Sequence, residues 1–345
     1  MKMKYALAII LALAMTLSLL AGCADTEEEV VDEEPDEDVE EEVDEEPEEE
    51  EVDIDIVVGF GAGGSNDVAA RYMAEALRDH GINADIVNMP GGMGTEAAYH
   101  VSQQSPDSNM FMWGQSMTMA FEPSIDDRGF TIDDFEMVGM LASPTFCLGS
   151  RTGAPWEDFD DLKDYIRDNP GELTLGGQGE GSMMHFYAEL MLPPDELDYA
   201  YVGFEGGADV AINLTGGHVD LGHLSLAAAR PLHDDEDLTV LVNTQIMEER
   251  DPMMPDIPNI SEYGLEDARE PHALGLFAPQ GTDPDLIERI STAMEAVSED
   301  PDLQQNYEET GLITAYMNAD EMAEYYDNIM ENFVPQYQEW YEDID

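Results

Sequence analysis

Short apolar runs, glycine-rich turns and segments with helical spacing alternate along the chain from about residue 53 onward. Residues 53–58, 84–88 and 110–113 read as strands, and the patterns between them predict helices at 68–80 and 95–104. A strand–helix–strand–helix–strand order is typical of a largely parallel sheet covered by helices. The sequence therefore restricts the folded part of the chain to the α/β class.

The middle and the end of the chain continue this alternation. Further strands are expected at 136–141, 145–149, 173–175, 199–202, 219–223, 238–243 and 273–278, and helices at 156–168, 183–191, 207–215, 284–299, 301–310 and 319–341. About 290 residues follow the N-terminal segments, which is enough for two lobes. We assign residues 54–150 to the first part of lobe 1, 151–272 to lobe 2, and 273–345 to the return into lobe 1 and the C-terminal helices.

The N-terminus has the composition of an export signal. Two lysines precede an apolar run at residues 5–20, which is short for a membrane span of roughly 20 residues. The following Leu-Ala-Gly-Cys resembles the lipobox of lipoprotein signal peptides, which implies a signal peptide at 1–22 and lipidation of Cys23. The alternatives are an ordinary signal peptide and a short membrane helix. Cys147 is then left without a disulfide partner, so we expect it to be a thiol in the core.

The charge is extreme, with 12 Lys and Arg residues against 79 Asp and Glu residues. Residues 25–53 contain 21 acids and no basic, aromatic or glycine residue, so we expect 23–53 to be a disordered acidic tether. Acids dominate the remaining chain as well, which argues against binding to nucleic acid or to anionic lipid surfaces. Such a composition suggests a halophilic protein, because at about 1 M salt the Debye length of about 3 Å screens the self-repulsion.

Three segments carry a resemblance to one family of proteins. They are the strand and glycine turn at 57–67 followed by Arg71, the Asn-Met-Pro-Gly-Gly-Met-Gly-Thr run at 88–95, and the late run 255–282, which contains Pro-Asp-Ile-Pro, Glu-Tyr-Gly and Gly-Leu-Phe-Ala-Pro-Gln-Gly-Thr. The step Leu-Thr-Gly-Gly-His-Val-Asp at 214–220 lies between them. Their order and spacing resemble the extracytoplasmic receptors of tripartite tricarboxylate transporters, the Bug-type family, over about residues 54–335.

The resemblance implies a two-lobed fold of the periplasmic-binding-protein type (type II), with mixed, mostly parallel sheets and a hinge between the lobes. Similar receptors bind small mono-, di- or tricarboxylates in the cleft and deliver them to the permease subunits of the transporter. The expected location is the outer face of the cytoplasmic membrane, or the periplasm, with the lipid on Cys23 as the anchor. We expect a monomer without a cofactor.

The residue pattern indicates how an acidic protein could bind an anion. Glycine-rich turns at 61–67, 91–95 and 176–182 precede predicted helices, whose N-termini offer free N–H groups and about half a positive charge. Glycine lets a ligand approach the backbone closely. Because these turns should lie at the carboxyl ends of strands, where open α/β sheets bind ligands, we expect them to face one crevice.

The candidate ligand-binding residues follow from these turns and from the end of the third strand. They are Phe60, Gly63, Gly64, Ser65, Asn66, Asp67, Gly94, Thr95, Gln115, Ser116, Gly181 and Ser182. Those at 63–66, with Gly94 and Thr95, should clasp one carboxylate, and Gly181 and Ser182 should meet the other end of the ligand. In the alternative interpretation the polar residues at 65–67 only cap the helix.

Other classes of site fit the sequence less well. Glycines 59, 61 and 64 match the Gly-x-Gly-x-x-Gly pattern of dinucleotide-binding folds, but an exported lipoprotein has no evident supply of NAD. No lysine near this turn completes a phosphate-binding loop, and no Gly-x-Ser-x-Gly elbow is present. His185 and Glu189 share a helical face without a third ligand nearby, so we expect no metal. The chain is interpreted as a non-catalytic receptor. An exported enzyme on a similar scaffold and a ligand sensor for a signalling partner remain the alternatives.

Overall fold

The computed structural model describes residues 51–246 and 250–344. The predictions for the signal peptide 1–22, for Cys23 and for most of the tether 23–53 lie outside these residues. The end of the tether was placed too late, because the first strand already begins at Val52 and pairs with its neighbour from that residue onward.

The first sheet has six strands in the order β11-β4-β10-β3-β1-β2. In chain order these are β1 Val52–Val58, β2 Ile82–Asn88, β3 Met110–Gln115, β4 Phe135–Pro144, β10 Leu274–Pro279 and β11 Leu312–Met317. β1 runs parallel to β2 and β3, as the alternation of strands and helices predicts. β10 runs antiparallel to β3 and β4, and β11, which was not predicted, runs antiparallel to β4.

The second sheet has five strands in the order β7-β6-β8-β5-β9. These are β5 Phe146–Arg151, β6 Thr174–Gln178, β7 Ala200–Phe204, β8 Leu221–Ser225 and β9 Leu238–Asn243. β6 is parallel to β7 and β8, while β5 is antiparallel to β8 and β9. The boundary predicted at residue 150 is therefore too late, because β5 pairs within the second sheet and the chain changes sheets at Thr145. Two mixed sheets with helices confirm the two-lobed α/β fold.

Helices follow most strands. They are α1 Ser65–Leu77, α2 Thr95–Ser102, α3 Glu122–Ile125, α4 Phe159–Asp168, α5 Met183–Met191, α6 Gly207–Thr215, α7 Leu226–Asp234, α8 Pro284–Ser298, α9 Pro301–Thr310, α10 Ala319–Asn328 and α11 Val334–Ile344. A π-helical turn at Ile329–Phe333 interrupts the single helix predicted at 319–341, and another at Met117–Phe121 precedes α3. α7 was not predicted; it contains Pro231, a residue that usually breaks helices. Among the described residues, no helix is both long and apolar enough to cross a bilayer.

α5 belongs to the packing of both lobes. Phe186 and Tyr187 lie in a buried cluster with Phe121, beside the first sheet, whereas Ala188 and Met191 lie in the core of the second sheet. Truncating a buried aromatic side chain of this kind typically costs about 3–5 kcal/mol. The lobes are therefore joined by side-chain packing in addition to the chain itself.

The chain crosses between the sheets at two adjacent points. Thr145 alone separates β4 from β5, and the segment that ends at Ala273 leads back into β10. The hydroxyl of Ser143 donates to the carbonyl of His272 at 2.6 Å, which ties the two crossings together. Cys147, just beyond the first crossing, is a buried free thiol, as predicted, and burial raises its pKa well above the usual range.

Candidate ligand-binding site

The strand registers bring the carboxyl edges of both sheets to the crossing segments. At the end of β3, Gln115 is the register partner of Leu274, which also pairs with Ala142 near the end of β4. On the other side of the crossing, Phe146 at the start of β5 pairs with Ser225 at the end of β8. Because β1, β2 and β3 are parallel, and so are β6, β7 and β8, all the turns that follow these strands lie on the two edges that flank the crossing.

Asp67 organises the first glycine turn. Its carboxylate accepts hydrogen bonds from the Gly63 N–H at 2.8 Å and from the Asn88 side chain at 2.8 Å, and it forms an ion pair with Arg71 at 2.9 Å. Hydrogen bonding from Arg71 outweighs burial and, with the bonds from Gly63 and Asn88, lowers the pKa of Asp67 to about 2. Because Asp67 is only 1% exposed, its ionised side chain holds the turn from within, as a structural residue would.

The free N–H donors near the first glycine-rich turn are not those of Gly63 and Gly64. They belong to the first residues of α1. Gly63, at φ +83°, donates to Asp67, and the Gly64 N–H donates to Gly61 O at 3.2 Å. The first N–H of α1 that finds a backbone acceptor is that of Val68, which bonds Gly64 O at 2.9 Å. Within the described chain, the three preceding amides, at residues 65–67, have no acceptor, and Ser65 is exposed. These amides form a helix N-terminus with the donors that an anion needs.

The second glycine turn packs directly against the first. A Cβ on Gly59 would lie 2.5 Å from the Cα of Gly94, and one on Gly94 would lie 3.4 Å from the Phe60 ring. Gly94, at φ +91°, donates its N–H to Gly91 O at 2.8 Å. The buried Thr95 hydroxyl donates to Gly92 O at 2.7 Å, so both predicted donors of this turn are used within the turn.

Side chains around the second turn hold its shape. The Asn88 amide also donates to the carbonyl of Phe60 at 3.0 Å, which fixes the first turn against the end of β2. Thr118, which the sequence did not single out, donates from its buried hydroxyl to Met93 O at 2.7 Å. Phe60 is half-buried, with its ring beside Gly94.

The two candidates at the end of β3 differ in exposure. Ser116 is 1% exposed; its hydroxyl accepts the Ala273 N–H at 3.0 Å, and its own N–H donates to Ala273 O at 3.2 Å. Ser116 therefore joins β3 to the returning chain. Gln115, at the same edge, is half-buried.

The turn after β6 is shorter than predicted, because residues 176–178 belong to the strand. The Gly181 N–H, at φ +77°, donates to His185 Nδ1 at 3.2 Å. Ser182 caps α5: its hydroxyl accepts from the His185 N–H at 3.3 Å and donates to the carbonyl of Gln178. Both predicted donors are thus engaged inside the turn.

A further turn of the second lobe was missed from the sequence. Residues 205–207 follow β7 and begin α6, and a Cβ on Gly207 would lie 3.4 Å from the Gln178 side chain at the end of β6. The first backbone N–H groups of this helix that bond back are those of Asp209 and Val210, both to Gly206 O. The signal was a glycine pair between a strand and a helix, the same signal that marked the other turns.

Metal ligation finds no support in the described part of the chain, which contains no group of three His, Cys, Asp or Glu residues able to hold an ion. Arg71, a basic side chain beside the first turn, is already paired with Asp67. The donors that remain at the carboxyl edges are helix N-terminal amides and neutral polar side chains. Such a set suits a small anion that would otherwise be repelled by the charge of the protein.

The family of the chain follows from comparison with known proteins. A family profile described as the tripartite tricarboxylate transporter family receptor (TctC) matches residues 68–335. The chain belongs to this receptor family. BugT of Bordetella pertussis is 23% identical to the receptor over 240 residues, which cover 68% of this chain and 72% of BugT.

Solved structures agree with the fold. A TctC solute-binding protein from Polaromonas, solved without ligand, superposes on the receptor with a TM-score of 0.74 at 22% identity, covering 83% of this chain and 96% of that one. An R. palustris protein solved with adipate superposes with a TM-score of 0.64 at 25% identity, covering 83% of this chain and 97% of that one. The resemblance to the Bug-type receptors that the glycine motifs indicated is thereby confirmed.

Proposed function

We propose that this receptor binds a small organic carboxylate, with two acidic groups as the best fit, in the crevice between its lobes. The observation that carries the proposal is the set of unbonded amides at residues 65–67, placed at the carboxyl edge that faces the crossing segments. An adipate-bound relative at 25% identity supports a dicarboxylate. The side chains of Ser65 and Asn66 would add to these amides, and the turn at 205–207 and Gln115 would reach the ligand from other sides.

Lobe closure would complete the site. Thr145 and the segment before Ala273 connect the two sheets, so a rotation at these crossings would bring the turn at 205–207 towards the amides of α1. Hinge motion of this kind is common in solute receptors and excludes water from the bound anion. No protein acceptor in the described part of the chain bonds these amides, so no protein hydrogen bond has to break when a ligand binds.

The remaining assignments concern location and partners. The receptor would be exported, anchored at the outer face of the cytoplasmic membrane through Cys23 and lifted from it by the acidic tether. It would act as a monomer without a cofactor and deliver its ligand to the permease subunits of a tripartite tricarboxylate transporter. Replacing Cys23 by Ser should release the protein into the medium, whereas continued membrane retention would argue against a lipid anchor.

Calorimetry with a panel of acids tests the binding proposal. Succinate, malate, adipate, citrate and glutamate would be titrated at high salt into the mature protein, and one of them should bind saturably. Chemical turnover of a bound acid would favour the exported-enzyme alternative. Absence of binding across the panel, or binding that leaves the α1 amides unperturbed, contradicts the proposal.

A proline at the start of α1 isolates the backbone contribution. Gly64 is extended (φ −75°, ψ 164°), so Ser65→Pro places proline at the first helical position, where it is tolerated. This variant removes one amide donor, while Ser65→Ala removes only the hydroxyl. Because a hydrogen bond to a charged group contributes about 1.5–3 kcal/mol, Ser65→Pro should bind about tenfold or more weakly than Ser65→Ala. Ala319→Pro, at the first position of α10, is the matched control and should bind like the wild type.

A further inference from the structure

The turn at 179–182 of the second lobe is held by an imidazole. The Gly181 N–H donates to His185 Nδ1 at 3.2 Å, and the other ring nitrogen, Nε2, lies 3.2 Å from Glu189 Oε1. Because Nδ1 accepts a hydrogen bond from an amide, the neutral ring carries its N–H on Nε2 and donates a hydrogen bond from it to Glu189. The ring also stacks on Tyr201, with 3.7 Å between the ring centroids. The position of His185 therefore decides where the Gly181 amide points.

Glu189 links this ring to the C-terminal helix. The indole Nε1–H of Trp340 donates to Glu189 Oε2 at 2.6 Å, and the Trp340 ring meets the His185 ring edge-to-face at 5.3 Å. Burial acts to raise the pKa of Glu189, but the hydrogen bonds from His185 and Trp340 outweigh it and leave this pKa below its usual value. The carboxylate therefore stays ionised between two donors that lie on different helices.

The helix that carries Trp340 rests on the first lobe. Gln338 of α11 donates to the carbonyl of Ser124 in α3 at 2.6 Å, and Tyr337 packs edge-to-face on Phe121, with ring centroids 5.6 Å apart. Both partners belong to the segment that follows β3 of the first sheet. A continuous set of contacts thus runs from the first lobe through Trp340 to the turn at 179–182 of the second lobe.

We propose that Trp340 is a positioning residue, which holds the turn at 179–182 of the second lobe from the first lobe through Glu189 and His185. The inference rests on the proposed function, because this turn supports the proposed ligand turn at 205–207: the Gly179 N–H donates to Phe204 O at 2.9 Å. α11 then acts as a third connection between the lobes, beside the two chain crossings. Movement between the lobes would change the Trp340–Glu189 contact and with it the orientation of the Gly181 amide.

The first experiment needs no ligand. Amide hydrogen exchange at Gly181 would be followed by NMR in the mature protein, with Gly222 in β8 as the internal reference. Trp340→Phe removes the indole donor but keeps an aromatic ring, and it should accelerate exchange at Gly181 about tenfold relative to Gly222. The matched control is Trp156→Phe, which also loses an indole hydrogen bond in the second lobe, to Ser150 at 2.8 Å, but lies outside this set of contacts. An unchanged Gly181 rate in Trp340→Phe, or equal acceleration in both variants, overturns the proposal.

The second experiment uses whichever acid of the panel binds the wild type. Trp340→Phe and Glu189→Gln should each weaken its binding about tenfold, equivalent to about 1.4 kcal/mol. The double variant should bind no more weakly than the weaker single variant, because both changes interrupt the same set of contacts. Additive losses overturn the proposal. If no acid binds the wild type, the proposed function fails, and the exchange experiment alone decides the role of Trp340.

Discussion

Gly63 donates its backbone N–H to the carboxylate of Asp67 at 2.8 Å, four residues further along the chain. The Gly63 amide, which the sequence predicts to bind the carboxylate of a ligand, therefore already bonds a carboxylate of the protein. Beyond it, the N–H groups of residues 65–67 bond no acceptor in the part of the chain that the structure describes. Asp67 thus holds the turn that precedes these amides.

Replacing Asp67 by Asn should lower the free energy of unfolding by about 1–3 kcal/mol, because Gly63 and Arg71 lose their charged acceptor. The pKa of Asp67 is about 2 in the folded protein against an ordinary value of 3.8. Since the folded-state pKa is the lower one, the stabilisation is present above pH 4 and is lost as the pH falls towards 2. Urea unfolding of the wild type and of Asp67→Asn at pH 7 and at pH 2.5 measures this stabilisation. If the two proteins differ equally in free energy of unfolding at both pH values, the ionised Asp67 carboxylate does not stabilise the fold.

Replacing Gly59 by Ala should separate the two first-lobe turns. The new Cβ would lie 2.5 Å from the Cα of Gly94, a backbone atom that cannot move aside locally. Overpacking of this kind typically costs about 1–3 kcal/mol, and binding of the acid should weaken as well. Gly61→Ala is the control, because nothing lies within 4 Å of its Cβ position. Thermal unfolding and calorimetry of the two variants check the expectation, and equal behaviour would speak against the packing of these turns.

Replacing Glu270 by Gln should destabilise the crossing. Its carboxylate lies 2.6 Å from His223 Nε2, accepts a hydrogen bond from Thr244 at 2.6 Å, and is 3.4 Å from His272 Nε2. Burial acts to raise the pKa of Glu270, but the interactions with His223 and His272 outweigh it and lower this pKa to about 2. Replacing the charged acceptor of these buried hydrogen bonds by a neutral amide should cost about 1.5–3 kcal/mol.

Urea unfolding at pH 7 measures the Glu270 effect. Glu299→Gln serves as the control, because Glu299 is exposed at the end of α8. The stability of this variant should stay within about 0.5 kcal/mol of that of the wild type. A Glu270→Gln protein as stable as that control would show that the buried carboxylate contributes nothing to the crossing.

Salt should stabilise the receptor. The chain carries a formal net charge of −67, and the Debye length shortens from about 10 Å at 0.1 M to about 3 Å at 1 M ionic strength. The midpoint of thermal unfolding should therefore rise between 0.1 M and 2 M KCl. A non-ionic osmolyte at matched osmolality is the control and should raise the midpoint less. A midpoint that does not change with salt would argue against the halophilic interpretation.

The sequence located the turns but not the donors within them. The strand–glycine–helix order depends on local spacing, so β1, β2 and their helices could be predicted, as could α5, α6 and α9 with their bounds. Which amide stays free depends on side chains that fold back on the turn, such as Asp67 on Gly63 and His185 on Gly181. Spacing carries no information about that geometry.

Burial explains the other differences. Ser116 looked like a polar residue at a strand end, but the returning chain covers it, and its partner Ala273 is 157 residues away in the sequence. β5 was assigned to the wrong lobe because its apolar pattern does not reveal which sheet it pairs with. Long-range pairing decides both cases, and a single sequence does not display it.

A one-residue joint at Thr145 limits how the two halves can move. The strands on either side are held in register by their sheets, so the chain has no slack there, and the halves can change their angle while the joint itself stays nearly in place. Displacement during opening then grows with distance from Thr145. Of the three parallel strands β1, β2 and β3, β2 lies furthest from β4 in the first sheet and β3 lies nearest to it. The turn after β2 therefore moves most on opening and the end of β3 least. Ligands of different length would then be distinguished mainly near the turn after β2.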